Sequence, residues 1–474
     1  MSPWAGTAAR AAGGARWILP VGLIVALGLA SGWAVVYLPP WLALAPLAGF
    51  LAATLWLQIP AISLYALVAI APFDLSYQVG GLSDVRIQDA LIGTLCVSAF
   101  TALLAGSRRK LRLKLPMAQV LLALWLFLLV WGTIAFLVGP ANQWLIKDAT
   151  HNSWYVYRDI GRSLIVFPLV LICLDNRRTI TRLIDMMVLA GAAVALDAIW
   201  LARYVTENAT GPFDHPNGLA GYLVLIMPLA AAQLLMGDRP LMRILHGGSL
   251  AVMLRALWLS GSRGGLVAFL ASFVVVAIFV PRRRVVAVGA AGLIGLMLVL
   301  ALRGNLLNMP MMSRFIVLTD VKDVETFQWR QEQWGIFIQR ISERPWLGTG
   351  SDVDESLRDL DRAQTAHNAF LALSVKSGIP TAVVWGLLIL IMLGMSLRGV
   401  LLALTTAEKS FWIGSLSFLV ALGVHNLVES RLLAVVTQHC FWIIAASALL
   451  MLCPPRLLVE GATTAEAEPT APRR

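Results

Sequence analysis

Apolar runs of about twenty residues, long enough to cross the hydrocarbon core of a bilayer, recur along almost the whole chain. Backbone N–H and C=O groups in lipid must be satisfied within their own element, so consecutive runs of this kind become helices packed side by side. The runs cover approximately residues 18–38, 41–59, 60–75, 89–106, 116–139, 161–174, 183–203, 217–236, 245–261, 264–280, 285–302, 367–397, 410–427 and 432–452. Pro39-Pro40, Pro60 and Pro72 interrupt the first three, so some are half-spans or one broken helix. The expected fold is an all-α polytopic membrane protein of about twelve to fourteen transmembrane helices. With 59% hydrophobic and 13% charged residues, composition agrees.

The formal charge of +11 does not point to nucleic acid, because Lys and Arg cluster in short connections between apolar runs. Arg10/Arg16, Arg108 to Lys114, Arg177/Arg178/Arg182, Arg239/Arg243, Arg282 to Arg284, Arg398/Lys409 and Arg456 should share the cytoplasmic face. An even number of runs separates them, leaving 74–89, 139–157, 204–215 and 303–366 for the outer face. The last is the one substantial extramembrane stretch, with ten acids against eight Lys and Arg. Within it Trp334, Phe337, Ile338 and Ile341 recur at helical spacing, which predicts an amphipathic helix on the membrane surface or over a cavity. The chain thus divides into transmembrane helices over 1–302, an outer loop over 303–366, further transmembrane helices over 367–453 and a cytoplasmic tail over 454–474. Residues 18–38 are too long for a signal-peptide core and predict a retained first helix. Cys96, Cys173, Cys440 and Cys453 lie in or at the edge of apolar runs, without the spacing of a zinc site or a disulfide framework.

Charge at bilayer depth is costly, which draws attention to Arg263. It follows Ser260-Gly261-Ser262 at the outer end of one run, and Gly264-Gly265 begin the next. Glycines permit close approach of backbone and ligand, and a helix start favours an anion; the alternative is an arginine snorkelling to headgroups. Arg255, eight residues earlier, could pair structurally with Asp197. His367, in Thr365-Ala366-His367-Asn368, is the one histidine of the outer loop and precedes a helix. Imidazole, with an unperturbed pKa of about 6.5, suits proton acceptance near neutrality. His425 sits four residues before Glu429 in an apolar run, the spacing of an intrahelical pair, and is assigned a structural or supporting role. His215, in Asp214-His215-Pro216-Asn217-Gly218, reads as a loop and cap residue. Arg86, Arg158, Arg162 and Arg330 fall at or near the outer boundary, where several guanidinium groups would suit a diphosphate or, separately, snorkel to headgroups. Asp352-Val353-Asp354 has the form of a cation-binding Asp-x-Asp, but the further acids Asp359 and Asp361 favour a solvated acidic loop.

Taken in order, Pro216-Asn217-Gly218-Leu219-Ala220, Ser262-Arg263-Gly264-Gly265, Arg330 to Trp334, Pro345-Trp346-Leu347-Gly348-Thr349-Gly350 and His367-Asn368 with Leu371 resemble the O-antigen ligase family. Its relatives include O-antigen polymerases and bacterial O-linked oligosaccharyltransferases. The resemblance runs from about Asn217 to Glu429. It implies a glycosyltransferase of the C type in the bacterial inner membrane, with its active site facing the periplasm. Undecaprenyl-diphosphate-linked glycan would be the donor and a sugar hydroxyl of lipid A-core oligosaccharide the acceptor, with membrane lipids around them and no nucleic acid, cofactor or metal. His367 would be the base of an inverting displacement, Arg263 and Arg330 the leading diphosphate ligands, and Arg86, Arg158 and Arg162 weaker candidates. Asn217, Asn368, His425 and Trp334 would support the site. A polymerase would use a second lipid-linked repeat as acceptor, and a protein-directed relative a Ser or Thr side chain. A membrane transporter is the reading from another class: Asp197, Arg255 and Arg263 would then line a permeation path.

Overall fold

The computed structural model describes residues 60–73, 76–79, 82–104, 116–138, 149–174, 176–202, 208–213, 215–286, 289, 321–348 and 366–452. The runs at 18–38 and 41–59, most of 285–302, the clusters at Arg10/Arg16 and Arg108 to Lys114, Asp352 to Asp361, Cys453 and the C-terminal tail lie outside the described residues.

Thirteen helices follow one another among the described residues: α1 (Pro60–Ile70), α2 (Ile87–Leu104), α3 (Pro116–Val138), α4 (Ala149–Cys173), α5 (Arg177–Leu201), α6 (Pro216–Met236), α7 (Pro240–Ser260), α8 (Arg263–Phe279), α9 (Val321–Glu343), α10 (Ala369–Ser377), α11 (Ile379–Leu402), α12 (Thr406–Asn426) and α13 (Val435–Leu452). Between α1 and α2 the chain forms an antiparallel hairpin, β1 (Ser76–Val79) and β2 (Leu82–Arg86), with Tyr77 opposite Val85. The side chain of Gln88 ties its base to α1 by donating to the carbonyl of Ala71 at 2.7 Å.

Among the described residues, six helices are long and apolar enough to cross a membrane: Pro116–Ala135, Arg177–Leu201, Pro216–Met236, Ile379–Leu402, Thr406–Asn426 and Val435–Leu452. Shorter apolar helices lie at Ala61–Phe73, Leu91–Phe100, Gly161–Cys173 and Arg263–Phe279. The helices identify a multi-pass membrane protein, and among the described residues two of the expected segments differ in their bounds. The run at 367–397 is two helices, because Gly378 takes φ +84° and Pro380 opens α11. The outer connection placed at 139–157 is partly helical, since α4 begins at Ala149 with polar turns that carry no hydropathy signal.

Helix boundaries follow capping chemistry. Asn176 accepts from Thr179 N and begins α5; Ser262 accepts from Gly265 N and begins α8 directly after Gly261, whose left-handed φ of +65° ends α7. Thr405 and Glu408 form a reciprocal cap on α12, through Glu408 N to Thr405 Oγ1 at 3.2 Å and Leu404 N to Glu408 Oε2 at 3.1 Å.

At the centre stands α6, 94% buried over its apolar window, whereas α3 is 22% buried and turns most of its surface outward. A helix apolar all round belongs inside a bundle, and α6 is packed by α5, α7, α8 and α12. Trp385 of α11 packs on Phe441 and Trp442 of α13, and Trp442 on Phe167 of α4, with centroids 5.2 to 5.5 Å apart. Among the described residues, basic connections gather at one end. There Arg239 pairs with Asp185 at 2.6 Å, Arg284 donates to Leu235 O at 3.0 Å, and Arg177 pairs with Glu408 and reaches Met451 O. Asp197 and Arg255 lie on the packed pair α5 and α7.

Candidate functional site

At the opposite end, the starts of α6, α8 and α10 meet the turn that follows α12. That turn carries a carboxylate. Glu429 is 5% exposed, yet it accepts a hydrogen bond from Asn217 Nδ2 at 2.6 Å, lies 3.3 Å from His367 Nδ1 and has the guanidinium of Arg330 at 3.7 Å. A buried charge needs this number of partners.

Each partner is set by a local device. Asn217 is the second residue of α6, presented by Pro216 at the first helical position and by His215, whose Nδ1 accepts from Asn217 N at 3.1 Å. His215 is thus the cap that the Pro-Asn-Gly sequence predicts. Asn368 caps α10 by accepting from Phe370 N and Leu371 N, and donates through Nδ2 to Leu427 O at 3.3 Å, which fastens α10 to the Glu429 turn. His367, just before the cap, has φ +43°, the one positive φ among described non-glycine residues. A non-glycine residue in this region is held there by its surroundings, and such residues concentrate at functional sites. Trp329 of α9 packs edge-on against its ring at 5.5 Å.

The amphipathic helix forms as expected, with Trp334, Phe337 and Ile341 on its packed face and Ile338 alone of the four turned outward. Phe337 is 3% exposed and packs with Ala366, Ala372 and Val375, while Ile338 is 57% exposed. Trp334 donates from Nε1 to Ala366 O at 2.9 Å and so holds α9 over the turn carrying His367. Residues Pro345 to Gly348 lock the far end of α9. Gly348 and Gly378, both at positive φ, pack backbone to backbone, and Ile379 N bonds to Pro345 O at 2.8 Å.

Arg263 occupies the first position of α8 and is exposed. A Cβ on the next residue, Gly264, would stand 2.9 Å from Val428, so the start of α8 abuts the residue before Glu429. Arg263 and His367 therefore border the same turn, at one end of the bundle. The remaining cationic candidates differ. Arg162 is 6% exposed and ion-paired with Asp89 of α2, a burial that suits an interhelical tie better than an open diphosphate ligand. Arg86 ends β2 and Arg158 lies in α4; their side chains are outside the described residues.

His425 does not form the expected intrahelical pair. Helix α12 ends at Asn426 with Leu427 as its cap, so Glu429 is off the helical lattice, and neither ring nitrogen of the 1% exposed His425 has a hydrogen-bond partner among the described residues. Glu429 was consequently missed as the hub, although an acid at the end of an apolar run is itself a signal. Trp329 and Arg431 were missed too; they sit beside the quoted motifs without being singled out by spacing.

Burial alone would raise the pKa of Glu429. The hydrogen bond with His367 and the charges of His367, Arg431 and His425 outweigh it and hold the carboxyl below its usual range. His215 is pushed down, first by burial and then by Arg431, against the opposing pull of Glu429. With the carboxylate on Nδ1, the proton of neutral His367 belongs on that nitrogen, and the lone pair is left on Nε2. The side chain is 22% exposed, so this arrangement can take a proton from an approaching group.

Residues 248–386 match the family model described as O-antigen ligase. No curated protein matches the chain. The matched segment holds Arg263, Trp329, Arg330, Trp334, His367 and Asn368; Asn217 and Glu429 fall outside it.

Proposed function

We propose, from the match of residues 248–386 to the O-antigen ligase family model, that the protein transfers a glycan from undecaprenyl diphosphate to a sugar hydroxyl of lipid A-core oligosaccharide. The family match supports an enzyme of the ligase and polymerase group; the donor, the acceptor, the periplasmic orientation in the inner membrane and the C-type architecture are parts of this proposal. The observation that carries it is the pair formed by partly exposed His367 and buried Glu429.

In this scheme the acceptor hydroxyl oxygen attacks the anomeric carbon as the bond from that carbon to the diphosphate oxygen breaks, with inversion. The hydroxyl proton moves to His367 Nε2, and the electron pair of the broken bond leaves on undecaprenyl diphosphate. Imidazolium then stands against the Glu429 carboxylate, and releases its proton to water after product departs. Glu429 is a positioning residue, fixing tautomer and ring orientation as the acid does in any carboxylate–histidine pair. Arg263 and Arg330 would meet the charge growing on the diphosphate, an electrostatic contribution worth several kcal/mol in a site that excludes water. Helix α9, held over His367 by Trp334, would close the site. Arg86 and Arg158 remain secondary diphosphate candidates, and Arg162 a weaker one.

Purified protein incubated with undecaprenyl-diphosphate glycan and rough lipopolysaccharide should yield laddered lipopolysaccharide. His367→Ala should lower transfer by about 10²- to 10⁴-fold while donor binding persists. Near-normal turnover by that variant would refute the base assignment, and chain growth on the donor lipid instead of transfer would make the protein a polymerase.

A further inference from the structure

Arg431 belongs to none of the motifs that carry the family resemblance, yet its side chain runs along the face of α6 on which the site is built. A Cβ on Gly221 would stand 2.8 Å from Arg431 Cγ and 3.4 Å from Cδ, and one on Gly218 would stand 3.3 Å from Nη1. Two glycines one helical turn apart thus leave a groove that this arginine fills; any larger residue at Gly221 would push it out. The short 3-10 turn presenting it, Arg431–Leu433, is pinned from both sides. Asn426 Oδ1 accepts from Leu432 N at 2.6 Å, and Gln438 Nε2 donates to Leu432 O at 2.9 Å. Asn217, beside Gly218 in the same helical turn, binds Glu429.

We infer that Arg431 is a positioning residue, seated by Gly218 and Gly221, whose fixed positive charge secures the Glu429 carboxylate on which His367 is oriented. The inference rests on the proposed transfer reaction for its purpose. A carboxylate 5% exposed is favoured as the neutral acid by its burial and must be kept ionised by neighbours. His367 changes charge during turnover, so it cannot supply a constant field. Arg330 comes from α9, in the segment assigned to the diphosphate. A guanidinium stays charged at every relevant pH and, held in a groove of the central helix, does not depend on substrate. Among the described residues, the titratable and charged groups around Glu429 are His367 before α10, Arg330 from α9, His425 at the end of α12, His215 capping α6, and Arg431 itself; Arg263 borders the turn from α8. Among them Arg431 contributes to holding the carboxyl low.

The test is a pH titration of the Glu429 carboxylate band by infrared difference spectroscopy on the purified full-length protein, with Glu429→Gln identifying the band. In Arg431→Gln the midpoint should rise by about one pH unit or more, Gly221→Ala should move it in the same direction, and Arg431→Lys should keep it near the unaltered protein's value. Transfer by Arg431→Gln should then fail at a higher pH than in the unaltered protein, with the donor KM unchanged and the lysine variant restored. An unmoved midpoint in Arg431→Gln overturns the inference, whether or not glycan is transferred; so does an equal loss of transfer at every pH. A moved midpoint in a protein that transfers no glycan would refute the proposed function and leave the ionic role of Arg431 standing.

Discussion

Each end of the helix bundle holds a carboxylate between a histidine and an arginine. At the basic end Asp185 lies 2.6 Å from Arg239 and 3.2 Å from His246 Nε2, a contact too poorly aligned to count as a hydrogen bond. At the other end Glu429 lies 3.3 Å from His367 and 3.7 Å from Arg330. The residue types match; the settings do not. His246 is 1% exposed within α7, sealed between helices, whereas the side chain of His367 is 22% exposed, on a left-handed turn between elements. The basic-end carboxylate is matched by one arginine, while the Glu429 turn is bordered by Arg330, Arg431 and the start of α8 with Arg263. A histidine–carboxylate pair is therefore not by itself a site. It becomes one where the ring can be reached and where cations outnumber the acid.

Separating the two pairs by mutation gives effects of different kinds. The largest should come from Glu429→Gln. Its amide cannot stabilise imidazolium, and transfer should fall by about 10³-fold, or ~4 kcal/mol of barrier, with the protein still inserted and folded. Steady-state rates in detergent measure this, and a loss under threefold would erase the distinction between the ends. Asp185→Ala should do the reverse: it leaves Arg239 and buried His246 without their acid and should cost about 2–3 kcal/mol of stability, read as a lower thermal midpoint, while transfer by the folded fraction stays near normal. The smallest effect is the acid dependence of stability. Because the folded pKa of Glu429 is depressed, its contribution is complete above the unfolded value of 4.5 and is lost as pH falls through the lower folded value. Glu429→Gln should therefore flatten acid unfolding below about pH 4.5 and leave stability between pH 5 and 7 unaltered in slope.

Much of the frame was legible in the chain. The α7–α8 corner was visible because Gly261 and Ser262 are a helix stop and a cap, and α6 because an uninterrupted apolar run follows Pro216. His367 and Arg330, both singled out from sequence, meet on Glu429, and the helix start with Arg263 approaches the same turn. Other features were hidden. Glu429 at four residues from His425 looks like a helical pair unless one knows that α12 stops at Asn426. Ile338 fits the helical period of α9 but falls on its exposed side, since a period gives a face's width and not its centre.

The amino-acid order by itself determined that this chain must be a bundle of apolar helices with its basic connections at one end, because water, lipid and backbone hydrogen bonding act on each segment alone. Only the tertiary structure decided which charges meet. Asp89 pairs with Arg162, and Glu429 draws in Asn217, His367 and Arg330, contacts spanning 73 and up to 212 residues of chain, and no local periodicity encodes a distance in space between helix ends.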